Sequence, residues 1–206
     1  MAIHHHIPSR DITGVILAGG RGQRMGGLDK GLIEINHKPL AAHVLAALRP
    51  QVGAVLISAN RHQERYAALG CPVIPDSVGE YCGPLAGMAS AMQSATTPYI
   101  LTVPCDAPLL PSDYAQRMSA ALSRADAEAC LAHDGTRQQP VYALLRRTLL
   151  PELLAYLEHG ERATWRWFAQ RRLASADFSD QAEVFMNVNT PEERAALEAK
   201  MAARPC

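Results

Sequence analysis

Ile12-Thr13-Gly14-Val15-Ile16-Leu17-Ala18-Gly19-Gly20 decides the fold: a short apolar run, rich in β-branched residues, that ends in glycines. A strand buried on both faces of a parallel sheet reads this way, because neither face can carry alternate polar residues. Outward along the chain the pattern recurs as G-A-V-L-I-S-A from Gly53 and Y-I-L-T-V-P from Tyr99, with weaker strand signals in L-I-E-I from Leu32 and C-P-V-I-P from Cys71. Between these runs lie helical stretches. Pro39 opens one that runs to about Leu48, Arg61 to Leu69 forms another that stops at Gly70, and Pro84 to Ser94 forms a third. This β-α alternation predicts an α/β fold with a doubly wound, mostly parallel, Rossmann-like sheet.

The second half departs from the alternation. Pro111 to Arg124 reads as a helix, and two strand-like runs flank His133-Asp134-Gly135, where Asp-Gly signals a hairpin. Helices are expected over Thr148 to Glu158 and Ala163 to Gln170, then a strand over V-F-M-N-V from Val184. Thr190-Pro191-Glu192-Glu193 has the form of a capping box opening a last helix. A small hairpin and helix addition to the same sheet is therefore expected, with residues 12–206 as one domain. Residues 1–11, including His4-His5-His6, are expected to be a disordered lead-in whose three adjacent histidines offer no fixed metal geometry.

Composition narrows the function. In 206 residues, 20 Lys and Arg balance 20 Asp and Glu, so the basic stripe that tracks a phosphate backbone is missing and nucleic acid is not an expected partner. No apolar run approaches the roughly 20 residues needed to span a bilayer, and the first residues lack the apolar core of a secretory signal. A cytoplasmic protein with no membrane partner is expected. The five cysteines, Cys71, Cys82, Cys105, Cys130 and Cys206, contain no C-x-x-C pair, and reduced thiols fit that pattern.

Leu17-Ala18-Gly19-Gly20-Arg21-Gly22-Gln23-Arg24-Met25-Gly26-Gly27-Leu28-Asp29-Lys30 sets five glycines and three cations directly after a core strand. Bare backbone lets amides approach phosphate oxygens while the cations neutralise them, so a polyphosphate cradle is the functional reading; a solvated surface loop is the bland one. Two familiar phosphate loops do not fit. A Walker loop needs Gly-Lys followed by Ser or Thr, whereas Lys30 stands between Asp29 and Gly31; a dinucleotide fingerprint needs glycine where Met25 stands.

What fits is L-A-G-G-x-x-x-R-M-G-x-x-K, followed by N-R-H-Q-E at Asn60, G-P-L-A-G at Gly83, P-C-D-A-P at Pro104 and N-V-N-T-P at Asn187. In these five ordered blocks the chain resembles the nucleotidyltransferase family that includes the molybdenum cofactor guanylyltransferases, often called MobA. The resemblance implies a nucleotidyltransferase fold and transfer of GMP from GTP to the terminal phosphate of molybdopterin, with Mg²⁺ as cofactor. It further implies GTP and Mo-molybdopterin as substrates, and contact with other proteins of molybdenum cofactor biosynthesis and with recipient molybdoenzymes or their chaperones.

By the same resemblance Asp106, at the end of the Tyr99 strand, is the magnesium ligand; its bland reading is a helix N-cap. Leu17, Ala18, Gly19 and Gly20 and the Lys30 ammonium fall to GTP, with Arg24 a further phosphate contact. Lys30, Arg24 and Asp106 form the expected catalytic set. Asp76 aligns with a nucleotide-binding aspartate, and a carboxylate can accept both N1–H and N2–H of guanine. A turn residue before Ser77 is its other reading. Ser58 and Asp106 are also GTP contacts by this resemblance, although Ser58 stands where the family pattern has asparagine, S-A-N-R in place of N-A-N-R; Gln139 precedes Pro140 where many relatives have histidine. Gly83, Asn187 and Asn189 fall on the pterin side, although Asn187 to Asn189 also reads as a plain strand end. Cys105 has no activating neighbour in sequence and reads as a packing residue.

The competing functions are CMP transfer to the same pterin, a sugar-phosphate nucleotidyltransferase, a non-catalytic GTP sensor and, most remote, a dinucleotide-dependent oxidoreductase. Cytidylyltransferases similar to this family tend to carry alanine at the position of Gly19, which favours guanine here.

Overall fold

The structure is a computed structural model and describes residues 7–19, 29–78 and 83–186, with residues 193, 195 and 197–199 beyond them. The elements in order are β1 (Ile12–Leu17), β2 (Glu34–Ile35), β3 (Lys38–Pro39), α1 (Leu40–Leu48), β4 (Ala54–Ser58), α2 (Gln63–Ala67), β5 (Val73–Ile74) and α3 (Pro84–Ser94). They continue with β6 (Tyr99–Pro104), α4 (Tyr114–Arg124), β7 (Ala129–His133), β8 (Gln138–Arg146), α5 (Leu150–Glu158), α6 (Thr164–Phe168) and β9 (Leu173–Asp177). Among the described residues, seven strands form one sheet in the order β5-β4-β1-β6-β8-β7-β9. β8 alone runs against its neighbours β6 and β7; every other pairing in the sheet is parallel.

β1 shows why a continuous apolar strand belongs in the centre. Ile12 and Ile16 enter the core beneath α1, α2 and α4, while Val15 enters the core beneath α3, α5 and α6. Both faces of the sheet are therefore covered, as a doubly wound fold requires. Gly14 faces Leu48, and a Cβ there would stand 2.8 Å from Leu48 Cδ2, so glycine lets α1 lie close against the strand.

Several expectations need correction. The lead-in does not extend to residue 11: Ile7 is buried in the core and Ser9–Asp11 forms a 3₁₀ turn. Pro39 is the residue before α1 and not its first turn, because it also pairs with Glu34 across the β2–β3 hairpin. Val184 and Phe185 end a 3₁₀ stretch, Ser179–Phe185, where a strand was expected. Here aromatic packing outweighs strand preference, since Phe185 stacks edge-on against Tyr142 and Phe178. β9 had no counterpart in the sequence reading. Its Leu-Ala-Ser-Ala-Asp is poor in strand formers, and pairing with β7 makes it an edge strand. The capping box at Thr190 lies outside the described residues. No described helix is long and apolar enough to cross a membrane.

Candidate active site

β1, β4 and β6 end side by side, and their last residues are tied across the sheet. The Ala18 N–H donates to Ser58 O at 2.8 Å, and the Cys105 N–H donates to Leu17 O at 3.1 Å. In a parallel sheet such carboxyl ends face a crevice where ligands bind. One consequence touches the glycine-rich segment directly: the Ala18 amide is committed to the sheet, so it has no hydrogen left for a phosphate.

At this edge a cavity of about 200 Å³ is lined by Leu17, Gly19, Ser58, Asp76, Gly83, Pro84, Gly87 and Val141. Five of the expected site residues, Leu17, Gly19, Ser58, Asp76 and Gly83, thus meet in one place. The small residues are needed for this. A Cβ at Gly87 would stand 2.8 Å from both Leu17 Cδ2 and Ser58 Oγ, so glycine lets α3 approach the strand ends. Gly83 adopts φ +76°, a backbone conformation that glycine enters without strain, as the chain turns into α3.

Asp76 is held from three directions. Ser58 Oγ donates to Oδ1 at 3.2 Å, Asn60 Nδ2 donates to Oδ2 at 2.7 Å, and the Asp76 N–H returns a bond to Asn60 Oδ1 at 2.8 Å. The next residue is anchored to α3, with the Ser77 N–H donating to Ser90 Oγ at 2.7 Å. The carboxylate is thus oriented by the end of β4 and does not serve its own turn. Ser58, which departs from the family pattern, still reaches this carboxylate. Asn60 was visible only as the first letter of N-R-H-Q-E, because a sequence does not show which carboxylate an amide will clasp.

The second constellation lies beyond β6. Asp106 is 7% exposed, and Lys30 Nζ donates to its Oδ2 at 3.4 Å. Lys30 opens the 3₁₀ turn Lys30–Leu32. Beneath it Cys105 is buried, and burial, with the Asp106 and Asp29 carboxylates beside it, pushes the thiol's pKa well up. Both causes favour the protonated thiol of a packing residue over a thiolate.

β8 supplies what the sequence did not show. Its pairing with β7 jumps from Leu131↔Ala143 to Ala132↔Gln139, so β8 bulges at Pro140 to Tyr142 and delivers Val141 to the cavity wall. Gln139 Nε2 donates to Asp134 Oδ2 at 2.7 Å and braces the hairpin turn. Gly20, Arg24, Asn187 and Asn189 lie outside the described residues.

Residues 14–176 match the MobA-like NTP transferase domain family. The chain belongs to that family. A molybdenum cofactor guanylyltransferase from Shewanella loihica is 48% identical over 194 residues, covering 94% of this chain and 99% of the relative. One from Shewanella sediminis is 47% identical over the same shares. Among solved structures, molybdopterin-guanine dinucleotide biosynthesis protein A from Archaeoglobus fulgidus superposes with a TM-score of 0.77 at 18% identity, covering 93% of this chain and 100% of that one. A 4-diphosphocytidyl-2C-methyl-D-erythritol synthase from Anaerococcus prevotii reaches a TM-score of 0.70 at 11% identity, over 93% of this chain and 96% of its own. MobA-like chains and a cytidylyl enzyme thus share this fold, so the fold does not choose the base.

Proposed function

We propose that this MobA-like protein transfers GMP from GTP to the terminal phosphate of Mo-molybdopterin and releases pyrophosphate, acting in the cytoplasm as one domain whose core includes Ile7. The observation that carries this reading is the pre-aligned Asp76 carboxylate in a cavity at the strand ends, the same sheet edge from which the Lys30–Asp106 pair follows β6. The names of the close relatives support it.

Guanine presents two adjacent donors, N1–H and N2–H, and an anchored carboxylate can accept both. Ser58 and Asn60 hold Asp76 in place before the base arrives, which lowers the ordering cost of binding. A Cβ at Gly19 would stand 3.4 Å from Asn60 Nδ2 and 3.6 Å from Asp76 Oδ2, against the pair proposed to meet the base. Glycine there keeps the carboxylate reachable.

The acceptor's terminal phosphate is anionic near neutral pH, so attack on the α-phosphorus needs no strong base. It needs two mutually repelling anions in line and relief of charge on the departing pyrophosphate. The Lys30 ammonium supplies that relief, with Arg24 and the glycine-rich amides as further donors. Among the described residues no group of three or more His, Cys, Asp or Glu gathers to hold a metal. A single carboxylate, Asp106, is nevertheless a fitting protein contribution to Mg²⁺, which takes one or two carboxylates and fills its remaining positions with water and substrate phosphates. When bound, the ion neutralises developing phosphate charge. Gly83, Asn187 and Asn189 belong to the pterin side of this reading. Proteins of molybdenum cofactor biosynthesis and recipient molybdoenzymes or their chaperones would meet the product.

The direct test is incubation with molybdopterin, molybdate, Mg²⁺ and each NTP in turn, with mass analysis of the product. A guanine dinucleotide and pyrophosphate are expected. A cytosine product, or tight GTP binding without pyrophosphate, would overturn the reading. Lys30→Ala is expected to raise the KM for GTP and lower transfer together, by roughly tenfold for a lost charge-assisted contact, with the preference for guanine intact. Relaxed base choice at unchanged rate would move Lys30 from the phosphates to the base.

A further inference from the structure

Tyr66 on α2 is fully buried, yet its hydroxyl points at a loop: it donates to Asp29 Oδ1 at 2.5 Å across 37 residues of sequence. Burial raises the hydroxyl's pKa far enough that it stays protonated and remains the donor. Asp29 is the residue before the Lys30–Leu32 turn, and its carbonyl accepts the Leu32 N–H at 3.0 Å. Gly31 completes the contact. A Cβ there would run into the Tyr66 hydroxyl and come within 3.0 Å of Cys105 Cβ, the residue that precedes Asp106. The residues on both sides of Lys30 are therefore clamped, one by a hydrogen bond and the other by close packing. The Lys30 ammonium emerges from this clamp with Asp106 Oδ2 at 3.4 Å.

We infer that Tyr66 and Asp29 are positioning residues that aim Lys30 at the triphosphate. The inference rests on the reading of Lys30 as a phosphate contact. The stretch from the end of β4 through α2 then serves both halves of the nucleotide, since Asn60, just after β4, holds Asp76 and Tyr66, within α2, holds Asp29. A flexible ammonium carries rotamer freedom that binding must remove, and anchoring its backbone reduces that cost.

The test uses the full chain and GTP. Tyr66→Phe keeps the ring in the core and removes one hydroxyl, and it is expected to raise the GTP dissociation constant by about three- to tenfold. Asp29→Ala should do the same from the other side. Asp29→Asn, which keeps an oxygen acceptor for the hydroxyl, should recover most of that affinity. The deciding measurement is a double-mutant cycle. If Tyr66 acts through Lys30, then Tyr66→Phe added to Lys30→Ala shifts GTP affinity by less than about twofold beyond Lys30→Ala alone. A full, additive loss in that background, or a Tyr66→Phe variant that melts earlier while binding GTP as tightly as the parent, overturns the inference. The two levels separate cleanly. An unaffected Lys30→Ala removes the phosphate reading and the inference together, whereas a weakened Lys30→Ala beside an unaffected Tyr66→Phe removes the inference alone.

Discussion

Asp106→Asn is expected to lower pyrophosphate release by about 10²–10³-fold, the usual loss when a positioned electrostatic stabiliser is removed, and by more if the metal is lost outright. The substitution conserves shape, so the effect isolates charge. Asp106 is 7% exposed at the end of β6, and its Oδ2 faces Lys30 Nζ at 3.4 Å. An asparagine there still offers an oxygen to Lys30 but no longer attracts a hard cation. The Lys30 side chain is 29% exposed and keeps an oxygen acceptor in the asparagine, so the thermal midpoint should move far less than the rate. Turnover at the parent rate would remove Asp106 from the chemistry. A lowered midpoint with unchanged turnover would make the Lys30–Asp106 contact a structural ion pair.

Asp76→Ala is expected to erase most of the preference for guanine. The parent protein should favour GTP over CTP and ATP by at least about tenfold in kcat/KM, because a half-buried carboxylate that would meet both donors of guanine faces the acceptor N3 of cytosine instead, a mismatch that costs roughly 1–3 kcal/mol. Removing the carboxylate removes that penalty, so the gap should narrow by about ten- to a hundredfold, mostly through loss of GTP. Asn60→Ala should narrow it in the same direction and by less, since Ser58 Oγ still donates to Asp76 at 3.2 Å. The measurement is kcat/KM for each NTP with both variants. Unchanged selectivity in Asp76→Ala would place base recognition elsewhere. Equal use of CTP by the parent would show that this cavity does not read guanine, while leaving the role of Asp106 open to its own test.

Much of the architecture was legible along the chain because the central strands are buried on both faces. β1, β4 and β6 each appear as an apolar run closed by glycine, by Ser58-Ala59 or by Pro104, and α3 begins at Pro84 and ends at Ser94 as its proline and small residues suggest. The hairpin at Asp134-Gly135 followed from its turn chemistry, and Gly135 adopts φ +96° there. What failed had weak local signals. β9 is spelled with alanine, serine and aspartate and becomes a strand through its ladder with β7, and Val184 and Phe185 leave the strand pattern for an aromatic cluster.

The candidate site divides along the same line. Glycine-rich sequence after β1, a Pro-Cys-Asp frame after β6 and Asp76 after β5 were readable by position, because in a parallel sheet every strand's carboxyl end reaches the same edge. By itself the sequence determined the central strands β1, β4 and β6, their common edge and the residue types gathered there. Only the tertiary structure decided that Asn60 holds Asp76, that Tyr66 reaches Asp29, that a bulge in β8 brings Val141 to the cavity, and that the Ala18 amide is spent on Ser58. The physical reason is that hydrophobic periodicity records which face of an element is buried. Which side chains meet across a fold depends instead on strand order, bulges and close approach at glycine, and those are set only when the elements pack against one another.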